Sequence, residues 1–170
     1  MRFLCECLAE VDPVKKLLIV VLQILALLVL PGQAYSQAKL ISDPEIYEKN
    51  HFRDECKIAQ FEPDFIKRFD INNDGIIDLV SDHTKLVCDG KRGPACDAEG
   101  CPHNFYVQVK EGGYIMVATA KVYSYAFVQY FGNMVFNLTM HPRYCGRSDA
   151  KPCEMRVRVR GLDFNILSKK

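Results

Sequence analysis

Nine consecutive residues hold the densest chemistry in this chain: Asp70-Ile71-Asn72-Asn73-Asp74-Gly75-Ile76-Ile77-Asp78. Oxygen-bearing side chains recur at alternate positions, Asp70, Asn72 and Asp74, which share one concavity when the backbone curls. Gly75 permits the sharp turn that follows. Ile76 can then offer its backbone carbonyl while its side chain turns to the core, and Asp78 closes the set. Oxygens in this number suit a hard cation such as Ca2+, which takes six to eight oxygen ligands. The expected ligands are Asp70, Asn72, Asp74, Ile76 and Asp78, with calcium as a structural ion. A turn of Asp, Asn and Gly that binds nothing carries similar residues. The spacing, followed at once by an apolar run, favours the metal. Without a bidentate Glu the site is expected to be weak, on the order of 10⁻⁴ to 10⁻³ M.

The elements that must position this loop can be read from periodicity. An EF-hand would place a bidentate Glu at the twelfth position. That position is Ser81, and residues 76–80 read as a strand rather than a helix. Ser42-Asp43-Pro44-Glu45 reads as a helix start, with Ser42 as cap, Glu45 three residues on and Pro44 in the first turn. The spacing predicts a helix over 43–60 with a thin apolar face of Ile46, Phe52, Ile58 and Ala59. Strands are predicted over 104–109, 114–118, 123–131 and 134–140, and a final one over 155–160. Gly132-Asn133 suits a type II′ hairpin turn. That turn pairs Phe131 with Met134, Gln129 with Phe136, Phe127 with Leu138 and Tyr125 with Met140, on a face that should meet the core. The fold expected is α+β: a mostly antiparallel β-sheet with one N-terminal helix, stapled by disulfides.

Compartment is the second legible property. Residues 17–30 are apolar except for Gln23, follow Lys15 and Lys16, and end at Pro31-Gly32. Small residues come next, as in a signal peptide cleaved after Ser36 or Ala38. Residues 1–38 are therefore expected to be a leader and residues 39–170 one domain. The alternative is an inner-membrane anchor over residues 15–31, although a span normally needs about 20 apolar residues. Residues 1–13 carry acids and two cysteines, which suit a leader poorly; a start at Val14 gives a more compact one and removes Cys5 and Cys7 from the fold. Six cysteines follow the leader: Cys56, Cys88, Cys96, Cys101, Cys145 and Cys153. An even set in an exported domain implies disulfides, with fifteen pairings open. The location expected is periplasmic or secreted.

Charge excludes more than it selects. Lys plus Arg number 22 and Asp plus Glu 21, so no strong field for nucleic acid exists. One basic row stands out: Arg156, Arg158 and Arg160 alternate with Val157 and Val159, so one strand face is basic. It is either a solvated face or a surface for an anionic ligand. Cys101-Pro102-His103 hints at zinc, but thiols in an oxidising compartment pair with each other. Asn137-Leu138-Thr139 matches a glycosylation acceptor inside a predicted strand and carries no argument. Asp82, His83 and His103 are the groups a hydrolase could use, though adjacent strand residues face opposite ways.

The loop, with the strand after it, resembles the calcium loop of FG-GAP and VCBS-type β-repeats. Residues 69–101 also resemble a group of uncharacterised exported proteobacterial proteins. The elements that carry this are the loop, Ser81-Asp82, Cys88, Cys96-Asp97-Ala98-Glu99-Gly100-Cys101, and later Cys145-Gly146 with Cys153. This sequence departs at Asp97, where the group tends to have Gly. The resemblance implies a periplasmic calcium-loop protein and no particular activity. With it come expected bridges of Cys96 with Cys101, Cys145 with Cys153, and Cys56 with Cys88. The function expected is a calcium-stabilised binding or structural module that meets an unidentified envelope protein or ligand through its sheet or arginine face. The alternative is a small periplasmic hydrolase using His and Asp groups.

Overall fold

The computed structural model describes residues 39–149 and 151–170. The expected leader over 1–38, the alternative anchor over 15–31, and Cys5 and Cys7 lie outside them. Strand β1 (Leu40–Ile41) precedes helix α1 (Pro44–Glu55). Then come β2 (Ala59–Phe61), β3 (Ile66–Phe69), β4 (Asp78–Asp82), β5 (Leu86–Cys88) and β6 (Lys91–Arg92). The long strands follow: β7 (Cys101–Gln108), β8 (Tyr114–Val122), β9 (Ser124–Tyr130), β10 (Asn133–Met140), β11 (Cys153–Arg160) and β12 (Asp163–Lys169). They form sheets of order β1-β8-β7-β4-β3, β12-β11-β10-β9 and β2-β5-β6. Every strand pair is antiparallel. Among the described residues the fold is α+β, dominated by antiparallel sheet, with one α-helix and three disulfides.

Alternation along the central strands builds two cores. Val80, Phe105 and Val107 meet Phe136, Leu138, Val157 and Val159 from the four-stranded sheet. Leu79 and Tyr106, their neighbours in sequence, join Phe52 of α1 and Phe65, Ile66 and Leu86 in a second core. Successive side chains on a strand point to opposite faces, so the five-stranded sheet is covered on both. The helix lies on one side of it and the second large sheet on the other.

Several boundaries differ from the sequence reading, each for a local reason. Asp43, not Ser42, caps α1: its Oδ1 accepts from the Glu45 and Ile46 amides at 2.8 and 3.2 Å. Pro44 occupies the first helical turn, which makes the residue before it the cap. The helix ends at Glu55 rather than near 60, because Cys56 turns extended and Ala59–Phe61 pair with β5. Its buried face is Pro44, Glu48 and Phe52; Ile46 and Ile58 are exposed. The β9–β10 turn is Phe131-Gly132, with φ of 48° and 75°, a type I′ geometry. Phe127 therefore faces Phe136 and Tyr125 faces Leu138, two residues from the expected register. A slip of two keeps every side chain on its expected face. Strand β12 lies beyond the strand expected to be last; as an exposed edge strand it shows no buried alternation.

The disulfides are Cys56–Cys88, Cys96–Cys101 and Cys145–Cys153. At Asp97 the tight turn forms without glycine. Asp97 and Gly100 exchange two backbone hydrogen bonds at 3.1 Å, and the Asp97 carboxylate accepts from the Glu99 amide.

Candidate functional site

The 70–78 loop connects β3 to β4, and the Phe69–Asp78 pair closes its base. Backbone amides organise it from within. Asp70 Oδ1 accepts from the Asn73 and Asp74 amides at 2.7 and 3.2 Å, and its Oδ2 from Gly75 at 2.8 Å. Asn72 Oδ1 accepts from the Asp74 amide at 3.0 Å, and Asp74 Oδ1 from Ile76 at 2.8 Å. Asn73 and Gly75 adopt φ of 62° and 84°, which lets these short side chains reach their own turn. Ile71, not Ile76, is the apolar anchor: it is fully buried, whereas Ile76 is half-buried and Ile77 exposed.

Asp78 stands apart from the other candidate ligands. It is fully buried, its Oδ2 accepting from Ile71 and its Oδ1 from Gln108, at 2.9 and 2.8 Å. It thus ties the loop to β7. Burial pushes its proton affinity up, its two backbone hydrogen bonds oppose that, and the charges of Asp74 and Asp70 push it up further. Among the described residues, no ion pair involves Asp70, Asp74 or Asp78. No group of three or more His, Cys, Asp and Glu side chains suited to a metal occurs there either. The loop's remaining donors are an amide oxygen, Asn72, and backbone carbonyls such as that of Ile76. All are hard oxygens, the donor type calcium takes. Asp70, Asn72 and Asp74 are side chains that could hold such an ion, while both Asp78 oxygens are engaged by the Ile71 and Gln108 amides.

Two of the four histidines form separate buried pairs with acids. His103 Nε2 lies 3.1 Å from Asp82 Oδ1, on the sheet–sheet side, against the ring of Tyr125. Burial works against the Asp82 carboxylate, but His103 and Thr84 hold its proton affinity well below the ordinary range. His83 Nε2 lies 3.3 Å from Glu48 Oε2, on the helix side, against Phe52. Adjacent residues Asp82 and His83 thus face opposite ways, and no shared cleft joins Asp82, His83 and His103.

Around Glu48, Ser81 Oγ donates at 3.0 Å and Asn104 Nδ2 at 2.6 Å, and Tyr106 donates as well. Ser81 Oγ is also 3.4 Å from His83 Nε2. Serine and acid therefore meet the same imidazole nitrogen, while His83 Nδ1 is buried without a partner. A serine relay needs them on opposite nitrogens. The cluster reads as a buried fastening between α1 and the sheet. Glu48 did not stand out in sequence. Its signal is the spacing Pro44, Glu48, Phe52, Cys56, which puts a carboxylate on the buried helix stripe.

Arg156, Arg158 and Arg160 share the outer face of the four-stranded sheet. Arg156 donates to Asn137 at 3.1 Å and sits 4.3 Å from the Tyr130 ring centre. Arg158 Nε is buried without a partner, and Arg160 is exposed. An open groove of about 420 Å³ runs past Arg158, Arg160, Asp163, Asn165 and Leu167. None of the three arginines is ion-paired among the described residues. Among those residues, too, no helix is long and apolar enough to cross a membrane. No protein-family model matches the chain, and neither does any curated protein or solved structure with which it was compared.

Proposed function

We propose that this chain is an exported binding module of the bacterial envelope, related to FG-GAP-like calcium-loop proteins and stapled by calcium and disulfides. The observation that carries the reading is a charge imbalance. The carboxylates of Asp70, Asp74 and Asp78 fall within nine residues, the charges of Asp74 and Asp70 add to the burial that raises the proton affinity of Asp78, and none of the three has a cationic partner among the described residues. A divalent cation held by Asp70, Asn72, Asp74 and the Ile76 carbonyl relieves that repulsion. It would act as a staple, because both loop ends are already fixed by strands.

Calcium at 10 mM should stabilise the wild type by about 1.4 to 2.7 kcal/mol, given a site of 10⁻³ to 10⁻⁴ M. Thermal unfolding with calcium and with chelator reads this as a rise of several degrees. Asp74→Ala loses a ligand and should show a lower melting temperature that calcium does not move. Equal calcium shifts in the two proteins would defeat the reading.

A further inference from the structure

Residue Phe131 is out of place twice over. It is 87% exposed, and its φ of 48° lies in the left-handed region that bulky residues avoid. A type I′ turn favours Asn or Gly there. Such a combination points to a function that keeps the residue. Its ring leans edge-on against Tyr130 at 4.6 Å, yet stays almost wholly in water.

A second apolar tip stands beside it. The β11–β12 turn is Gly161-Leu162, and Leu162 is 46% exposed. Strands β10 and β11 pair with Phe136 opposite Val157, a register that brings Asn133 beside Arg160. The two turns therefore leave the same end of the sheet, about two strand spacings or roughly 10 Å apart. Behind them runs the basic row Arg160, Arg158 and Arg156, none of them ion-paired among the described residues. Apolar tips ahead of arginines match the layering of an anionic bilayer, with acyl chains beneath phosphates. A flat sugar surface would use aromatic platforms and has no use for an aliphatic tip such as Leu162.

We infer that the end of the four-stranded sheet formed by Phe131, Leu162, Arg158 and Arg160 docks on an anionic lipid surface. The acids at this end are Asp163, Glu111, which lines a groove with Lys110 and Leu162, and, across the 3.5 Å contact of Asn72 with Gly161, the carboxylates of the 70–78 loop. They oppose docking, and the basic row must outweigh them. The inference does not require the calcium reading, which unfolding experiments test separately.

The chain has no tryptophan, so a single reporter can be placed. Phe131→Trp in the full chain should show a blue-shifted emission with phosphatidylglycerol vesicles, and quenching by brominated acyl chains. The shift is expected in chelator as well as in calcium. Ile58→Trp, exposed on the helix side, should show neither effect. Phe131→Asn suits the turn, so its melting temperature should hold or rise while vesicle affinity falls at least fivefold. In the Phe131→Trp background, Arg158→Gln and Arg160→Gln should each weaken the association about fivefold. An unshifted Phe131→Trp emission overturns the inference. So does an equal shift with neutral phosphatidylcholine vesicles, or a shift produced by soluble dextran sulfate and not by lipid.

Discussion

Replacing Glu48 by Ala should destabilise the folded chain by about 3 kcal/mol, because a buried carboxylate is lost and the Ser81, Asn104 and Tyr106 donors are left without their acceptor. Glu48 is 2% exposed and accepts from Ser81, Asn104 and Tyr106 while facing His83. Burial alone would raise its proton affinity. The hydrogen bonds from His83, Asn104 and Tyr106, with the charge attraction of His83, outweigh burial and hold it down to about 2, against an ordinary 4.5. The folded value lies below the unfolded one. The carboxylate's contribution is therefore full above about pH 4.5 and is lost as pH falls through about 2. Denaturant titration of wild type and Glu48→Ala should show the full gap at pH 7 and a narrowing gap from pH 4.5 downward. A gap of the same size at pH 7 and pH 2 would mean that the ionised form contributes nothing. Glu48→Gln keeps the shape and one acceptor, so it should fall between the two proteins at pH 7.

The contrast between legible and hidden features follows from what each needs. Strands β10 and β11 were readable because each buries alternate residues, Phe136, Leu138 and Met140 in one and Val157 and Val159 between arginines in the other. Strand β12 was not, because an edge strand with Ile166 and Leu167 half in water carries no such alternation. The helix start was visible in Pro44 and Glu45, although Ser42 rather than Asp43 was read as the cap, and its end was set from outside. Cys56 is drawn to Cys88, and residues 59–61 are taken by β5. The loop's Asp and Asn spacing was legible because it is local. Asp78's partner, the Gln108 amide, lies 30 residues away and could not be read. The same holds for the Glu48 cluster, which gathers residues from α1, β4 and β7 that no local pattern links.

The Cys56–Cys88 bridge should contribute most among the three disulfides. The bridged residues are separated by 32 positions in Cys56–Cys88, 8 in Cys145–Cys153 and 5 in Cys96–Cys101. Loop-closure entropy then suggests about 4, 2.5 and 2 kcal/mol respectively. Local structure points the same way. A 12-residue helix is marginal alone, and α1 buries only Pro44, Glu48 and Phe52. The β2-β5-β6 sheet is equally slight, with short pairings at Ala59–Phe61 and Lys91–Arg92. Cys56 leaves the helix directly into the bridge, and Cys88 sits opposite Ala59, so one bond joins two weak elements. In Cys56→Ala/Cys88→Ala, amides of α1 and β5 should exchange much faster, while those of β10 and β11 exchange only as global stability falls. Denaturant titration of the three paired Cys→Ala variants should rank them in the order given. If Cys96→Ala/Cys101→Ala instead proves the most damaging, chain entropy does not set the ranking. The close Asp97–Gly100 turn, whose Gly100 backbone abuts Val122, would then matter more than the length of the closed loop.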